Sequence, residues 1–290
     1  MIDPQQILRV LDPTDEVAYE EALTLISQAG EGVFSQLCQA LQSSLNPVRT
    51  REAAAWVLGD LHFAHAASVL IDTAQDSNSS DRLRATISSV LGRVDDPAVP
   101  DALATLARDP FSDVRRAAVN ALHEHPGDRP LPVVIGALRD PESSVRSAAA
   151  YALEAFDSSR SIGPLMEALR DPDPAVRGNA ASSLAAQQAE VAAPSLCQLT
   201  SDVFPYPRSS AAAALGTLEY QPAVSRLCEL LQDPVQSVRR AAIRSLERLE
   251  NADSRDAVAD AVQDSDAEVQ TCAERLLQVL EQRSLAHSTR

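Results

Sequence analysis

The sequence predicts an all-α fold, a right-handed α-solenoid of about eight helix pairs, and two observations support this prediction. A dipeptide resembling Val-Arg recurs every 31 residues, after one interval of 33 near the start. Hydrophobic residues form 45% of the chain but aromatic residues only 3%, which favours a core of Ala, Leu and Val in closely packed helices over a sheet. The dipeptides are Thr50-Arg51, Leu83-Arg84, Val114-Arg115, Val145-Arg146, Val176-Arg177, Pro207-Arg208, Val238-Arg239 and Val269-Gln270.

Each repeat is expected to contain a helix A, a tight turn and a helix B. A Leu follows the second residue of every dipeptide by seven positions, as in Leu122 and Leu153. An Asp precedes that residue by six positions in six consecutive repeats, often with Pro next to it, as in Asp140-Pro141. Asp can accept backbone N–H groups at a helix start, and Pro tolerates the first helical turn, so this dipeptide predicts the turn between helices. We expect the Arg and Asp series to join successive repeats by charge pairing.

The repeat predicts one elongated domain with distinct ends. Residues 1–30 are predicted to form N-terminal capping helices, with an amphipathic stretch at 17–26. The repeats are expected to occupy residues 31–282, and residues 283–290 to form a frayed C-terminal tail. Because one helix pair cannot bury both of its flanks, each repeat is expected to depend on its neighbours.

Charge restricts the class of partner. Forty-one acidic residues against 25 basic ones give a net charge of −16, which disfavours nucleic acid and favours a neutral or basic protein partner. All basic residues are Arg, so lysine Schiff-base chemistry and a Walker-type loop are excluded. No apolar run of about 18 residues and no leader segment occurs, so we expect a cytoplasmic protein without membrane insertion.

The repeat motif also resembles a known family. The segment from Asp140-Pro141 through Val145-Arg146 to Leu153 is similar to the short HEAT-like repeats named after phycobilin lyases of the E/F type. The resemblance covers about residues 31–280 and implies the solenoid fold, with the B helices lining its concave side. It also implies a bilin as possible ligand and a phycobiliprotein or a second HEAT-like subunit as possible partner. The same repeat occurs in many unrelated scaffolds, and fold does not determine function.

Candidate binding residues come from a position that varies between repeats. Five residues after the Arg of each dipeptide, the series changes from aromatic through small and polar to cationic. The single Trp of the chain and one of its four Tyr occur here, and such residues often dominate binding energy. A freely varying solvated face is the alternative. The groove candidates are Trp56, Asn120, Tyr151, Arg244 and Arg275.

Two further segments are candidates. Arg240, Arg244 and Arg248 form a basic stripe at helical spacing. It could contact an acidic partner or a bilin propionate, although pairing with Glu247, Glu250 and their neighbours is favoured. Phe204 and Tyr206, flanked by two prolines, are predicted to form a stiff exposed edge knuckle that is either a docking point or a local distortion.

No catalytic or metal-binding residues are predicted. The cysteines are scattered, and Cys197 and Cys228 share a repeat position that is apolar elsewhere, which favours a core role. The histidines lack partners at metal-binding spacing and are expected to lie in surface links. The cysteines are Cys38, Cys197, Cys228 and Cys272, and the histidines are His62, His65, His123, His125 and His287.

The sequence therefore favours a protein-protein interaction scaffold or chaperone-like adaptor that uses the concave groove and has no cofactor. The alternative is a phycobilin lyase subunit that positions a bilin and a phycobiliprotein for chromophore attachment or removal. Whether the chain is an enzyme stays open at this point, with a non-catalytic role favoured.

Overall fold

The computed structural model describes residues 23–24, 31–61, 66–156 and 159–288, and all regular secondary structure in these ranges is helical. Sixteen α-helices of this part of the chain form eight consecutive pairs, each with a helix A followed by a helix B. The all-α solenoid fold predicted from the sequence is confirmed. The pairs are α1 (Glu31–Gln42) with α2 (Val48–Asp60), α3 (Ala66–Gln75) with α4 (Asp81–Leu91), α5 (Val99–Leu106) with α6 (Ser112–Ala121), α7 (Leu131–Ala137) with α8 (Ser143–Ala152), α9 (Ser159–Ala168) with α10 (Pro174–Ala186), α11 (Ala193–Leu199) with α12 (Pro205–Thr217), α13 (Val224–Leu230) with α14 (Gln236–Leu249), and α15 (Arg255–Ala261) with α16 (Ala267–Ser288).

The chain divides into two compact units, Met1–Ala152 and Leu153–Arg290. Within each unit, successive B helices pack closely against one another, whereas the A helices contact their own B helix more than they contact each other. The B helices therefore form a tightly packed layer in each unit. Short 3-10 helices connect several pairs, at Leu122–Glu124, Leu153–Ala155, Glu190–Ala192, Gln221–Ala223 and Ala252–Ser254.

The repeated Leu and small residues form the core of each unit. The Leu that follows each dipeptide is fully buried in every repeat except the last, where Leu277 is half-buried. Small residues let the B helices approach. A Cβ added to Gly216 of α12 would lie 2.3 Å from Ser245 Oγ of α14, so the close contact there requires Gly. The fully buried leucines of this series are Leu58, Leu91, Leu122, Leu153, Leu184, Leu215 and Leu246.

The Arg and Asp series joins successive repeats within each unit. Arg115 donates hydrogen bonds to both carboxylate oxygens of Asp140, and its remaining terminal nitrogen donates to the Asp109 carbonyl. The Asp140 carboxylate also accepts the backbone N–H of Glu142, which closes the turn before helix B. The predicted charge pairing is thus observed, and its role is structural. Equivalent two-bond pairs join Arg84 to Asp109, Arg177 to Asp202, Arg208 to Asp233 and Arg239 to Asp264.

The structure describes the two ends of the repeat region only in part. Helix α1 is described from Glu31 onward, and the residues just before it lie outside the described ranges, so the expected start of the repeats stays a prediction. The proposed capping helices at 1–30 lie outside the described residues, apart from positions 23–24. Helix α16 continues to Ser288, past position 283, because no Gly or Pro interrupts it. Whether this end frays stays a prediction. None of the described helices is both long and apolar enough to cross a membrane.

Candidate binding surface

The variable fifth position of each B helix lies on an accessible surface. None of its eight residues is buried: Trp56 and Asn120 are half-buried, while Tyr151, Arg244 and Arg275 are exposed. Its accessibility is what the repeat register predicts, and the placement along a concave groove stays a prediction. We call the accessible face that carries this position the B-helix surface, and each unit has its own. The eight residues are Trp56, Ser89, Asn120, Tyr151, Ser182, Ala213, Arg244 and Arg275.

Trp56 is held in place by a cation. The guanidinium carbon of Arg93 lies 4.6 Å from the centre of the Trp56 ring, and Arg93 also pairs with Asp60 at 3.0 Å. An arginine over an indole face is attracted by the ring's negative face and has its own stem packed against it. Arg93 was not among the predicted residues, because it lies in the link after helix α4 and not at a repeated position.

Tyr151 is paired with a histidine. The His123 ring stacks on Tyr151 with 4.6 Å between ring centres and an angle of 17° between planes. His123 Nδ1 is buried and has no hydrogen-bond partner among the described residues, and His125 Nε2 contacts the Leu91 carbonyl at 3.1 Å. These two link histidines therefore pack against the protein more than the sequence predicted. His62, His65 and the side chain of His287 lie outside the described residues.

The basic stripe lines a cleft in the second unit. A space of about 350 Å³ lies between α12, α14 and the start of α16, with Arg240, Arg244 and Arg248 along one side. Small side chains line most of the rest of the space, and the Arg244 side chain is 65% exposed. We call this space the arginine cleft. Its other lining residues are Ala213, Thr217, Ser237, Ala241, Ser245 and Glu268.

The arginines of the cleft pair with residues of neighbouring helices. Arg240 binds both carboxylate oxygens of Asp266 at 3.0 and 2.6 Å, and also contacts Glu268 at 3.2 Å. Arg244 pairs with the other oxygen of Glu268, and Arg248 donates to Thr217 Oγ1 at 2.8 Å. The hydrogen bond from Arg240 lowers the pKa of Asp266 to about 2, so this carboxylate stays ionised.

The observed partners differ from those favoured by the sequence. Glu247 pairs with Arg275 of α16 at 2.7 Å instead of with the stripe. Arg240 and Arg244 instead contact the start of α16 and the turn before it, whereas Arg248 contacts α12 on the other side of α14. Asp266 and Glu268, which were not among the predicted residues, both precede the Val269-Gln270 dipeptide. Comparison of that turn with the other repeats could have found them.

The edge segment around Phe204 is more regular than predicted. Pro205 and Pro207 lie in the first turn of α12, where backbone N–H groups are not needed, and Phe204 N–H binds Asp202 as in other repeats. The local distortion considered from the sequence is therefore not observed, whereas a docking role of this segment stays a prediction. Phe204 and Tyr206 are still 48% and 46% exposed.

Both edge aromatics have partners in the preceding repeat. Arg177 lies 5.8 Å from the Phe204 ring centre, and the Tyr206 hydroxyl donates to Asn179 Oδ1. Tyr206 lies over Gly178, where a Cβ would come within 2.3 Å of its ring. Tyr206 therefore contributes to packing between α10 and α12, which leaves Phe204 as the more accessible edge candidate.

The cysteines do not form a reactive or metal-binding group in the described part of the chain. Cys272 is buried, and Cys38, Cys197 and Cys228 are half-buried. Burial raises the pKa of all four thiols, which lowers the fraction of reactive thiolate. Among the described residues, no group of three or more His, Cys, Asp or Glu could hold a metal ion.

Comparisons with known proteins agree with the repeat architecture. Residues 34–123, 131–216 and 193–278 match the family model described as HEAT repeats. No curated protein matches the sequence significantly.

Solved structures of similar fold share little sequence with the chain. Escherichia coli YibA is 19% identical with a TM-score of 0.66, and the alignment covers 89% of this chain and 96% of YibA. The complex of CpcE and CpcF of phycocyanin lyase from Nostoc sp. PCC7120 gives 23% identity and a TM-score of 0.51, covering 73% of this chain and 94% of that one. Kap121p gives 13% identity and a TM-score of 0.68, covering 94% of this chain and 37% of Kap121p. At these identities the similarity concerns the fold.

Proposed function

The chain belongs to the HEAT repeat family, and on that premise we propose that it is a protein-interaction scaffold or chaperone-like adaptor that binds a partner protein on its B-helix surface. The observation that carries this proposal is the accessible fifth position of the B helices. The residues at the repeated positions are buried in the core or form the Arg-Asp pairs. The fifth position, in contrast, varies between repeats and is accessible to solvent.

The chemistry of the surface supports a protein partner. In the first unit it presents Trp56 with Arg93 and Tyr151 with His123, each ring held by its neighbour. Aromatic and arginine side chains that are already ordered lose little conformational entropy on binding, and they dominate many protein interfaces. In the second unit the same surface carries the arginine cleft.

Co-purification with surface variants tests this function. The tagged protein is expressed in its native organism, and bound proteins are identified for wild type, Trp56→Ala and Tyr151→Ala. We expect a stoichiometric partner that is reduced at least about tenfold in the two variants, since truncating an aromatic anchor often costs more than 1.4 kcal/mol of binding energy. Val191→Ser is the matched control, because Val191 is exposed in a 3-10 helix away from the B helices. Full partner recovery by both aromatic variants would contradict the proposal.

A second candidate function is that of a phycobilin lyase subunit. The repeat motif resembles that family, and the arginine cleft offers cations that could hold the propionate groups of a bilin. In this account the chain would position the chromophore and a phycobiliprotein rather than form a covalent bond itself, and a second HEAT-like subunit would complete it.

Absorbance spectroscopy separates the two functions. Phycocyanobilin is mixed with the purified protein, with and without an antenna apoprotein. A shifted spectrum in wild type that is lost in Arg244→Gln would support the lyase function. An unchanged spectrum in both mixtures would leave the scaffold function as the account of the surface.

A further inference from the structure

We propose that the arginine cleft binds a carboxylate of an acidic segment of the partner protein, an inference that rests on the proposed scaffold function. The overall charge of −16 favours a neutral or basic partner, and the cleft departs locally from that charge. Three arginines and a single acidic residue, Glu268, line it.

The charges around the cleft do not balance. Asp266 binds Arg240 through both oxygens, and Glu268 is shared between Arg240 and Arg244. Arg248 donates only to the neutral Thr217 hydroxyl, and no carboxylate in the described ranges pairs with it. One guanidinium therefore lacks a counter-charge, and arginine cannot lose it by deprotonation. An anionic ligand would supply that counter-charge.

The geometry fits a carboxylate. Arg244 and Arg248 are one helical turn apart on α14, so their Cβ atoms lie roughly 5–6 Å apart. Their guanidinium groups reach the two walls of the cleft, Arg244 toward Glu268 of α16 and Arg248 toward Thr217 of α12. The Arg244 side chain is 65% exposed, which leaves most of its N–H groups open to a ligand. A carboxylate between the two guanidinium groups can accept paired N–H donors from either fork. The small side chains of Ala213 and Ala241 leave room beside them for an extended peptide chain.

Long-range charge favours a short acidic segment over nucleic acid. A nucleic acid carries phosphates along its whole length, and these would be repelled by the net charge of −16 on the protein. An acidic segment of an otherwise neutral or basic protein brings its carboxylates only to the arginines. Over distances beyond about 8 Å at physiological salt, the remaining repulsion is largely screened.

Fluorescence anisotropy with a labelled poly-Glu peptide tests the inference. A poly-Gln peptide of the same length is the neutral probe, and a single-stranded DNA oligonucleotide is the phosphate probe. We expect poly-Glu to bind wild type, with an affinity that falls with added salt, and to bind more tightly than either other probe. Arg248→Gln and Arg244→Gln are each expected to weaken poly-Glu binding about tenfold.

Arg129→Gln is the matched control, because it removes the same charge from a highly exposed side chain in the first unit. It should change affinity less than about twofold. The inference would be overturned if Arg248→Gln and Arg129→Gln lost the same affinity for poly-Glu. It would also be overturned if poly-Glu did not bind, or if poly-Gln or DNA bound more tightly. Thermal melts followed by circular dichroism verify that the Arg248 variant is folded.

The cleft and the scaffold function can fail separately. If Arg248→Gln still captures the partner while Trp56→Ala does not, the scaffold function stands and the carboxylate inference is wrong. If poly-Glu binding depends on Arg248 but Trp56→Ala and Tyr151→Ala keep the partner, the cleft stands and the assignment of the whole B-helix surface is wrong.

Discussion

Arg115 donates two hydrogen bonds of 2.8 Å to the carboxylate of Asp140, which lies 25 residues later in the next repeat. Both side chains are almost fully covered, at 13% and 10% exposure. This pair connects one turn to the following one and also orders the Asp140 turn itself. It shows how a local turn signal and a contact between repeats depend on the same carboxylate.

The first prediction concerns this pair. Asp140→Asn keeps an oxygen for the Glu142 N–H but loses the charge that binds Arg115. We expect it to lower the free energy of unfolding by about 2 kcal/mol, because hydrogen bonds to charged groups contribute about 1.5–3 kcal/mol. Urea unfolding followed by circular dichroism measures the change. The control is Asp113→Asn, whose carboxylate is 74% exposed and should matter by less than about 0.5 kcal/mol. Equal effects of the two substitutions would contradict the structural role of the pair.

The second prediction is the pH dependence of that stabilisation. Burial raises the pKa of Asp140, but hydrogen bonds from Arg115 and from the Glu142 N–H outweigh it, so the pKa lies below its usual value. The folded state therefore binds this proton more weakly than the unfolded state, and the stabilisation is present above about pH 4 and lost as the pH falls further. Thermal melts of wild type and Asp140→Asn should converge on acidification. A difference in melting temperature between the two proteins that stays constant from neutral pH to about pH 2.5 would refute this prediction.

The third prediction concerns close helix packing. Gly216→Ala would place a Cβ 2.3 Å from Ser245 Oγ and 2.8 Å from Ser245 Cα, so α14 would have to move. Overpacking of this kind typically costs about 1–3 kcal/mol. Gly136→Ala is the comparison, since no atom lies within 4 Å of its added Cβ, and helix propensity should stabilise it by about 0.5 kcal/mol. Denaturant unfolding should therefore show a lower free energy of unfolding for Gly216→Ala and a higher one for Gly136→Ala. Stabilisation by both substitutions would show that the B helices pack less closely than described.

The fourth prediction concerns the ends of three B helices. Gln188, Glu219 and Glu250, spaced 31 residues apart, have positive φ angles of 51°, 50° and 44°. Glycine adopts this conformation without a Cβ clash, so Glu219→Gly should raise the free energy of unfolding by about 0.5–1 kcal/mol. Glu274→Gly in the exposed interior of α16 should lower it by about 1 kcal/mol. Destabilisation by Glu219→Gly would mean that its side chain contributes more than the strain costs.

The fold was predictable because most repeats carry the same signals at the same positions. The Leu and Ala positions, the Asp turn and the Arg series recur with one period. A helix or turn that is ambiguous in one repeat can therefore be assigned from the equivalent positions of the others. The contacts of the candidate surface were less predictable. Arg93 over Trp56, His123 on Tyr151 and Glu268 at the arginine cleft are each unique to one repeat. Such contacts depend on the rotation between neighbouring helices, which a one-dimensional pattern does not contain.

The prediction was least accurate for the one repeat whose turn region contains two prolines. The two prolines near Phe204 indicated an irregular segment, yet they occupy helix positions that tolerate proline. The surrounding Asp202 turn and the Arg208 pair are the same as in other repeats. The periodic pattern was thus a better guide than the local one.

Hydroxyl-radical footprinting of the protein with its co-purified partner tests the central claim most directly. Trp56 and Tyr151 report on the B-helix surface, and Val191 and Leu45 are exposed elsewhere. If the partner binds the B-helix surface, oxidation of Trp56 and Tyr151 should fall several-fold in the complex while Val191 and Leu45 stay unchanged. Protection of Val191 and Leu45 with Trp56 and Tyr151 still fully reactive would contradict the account.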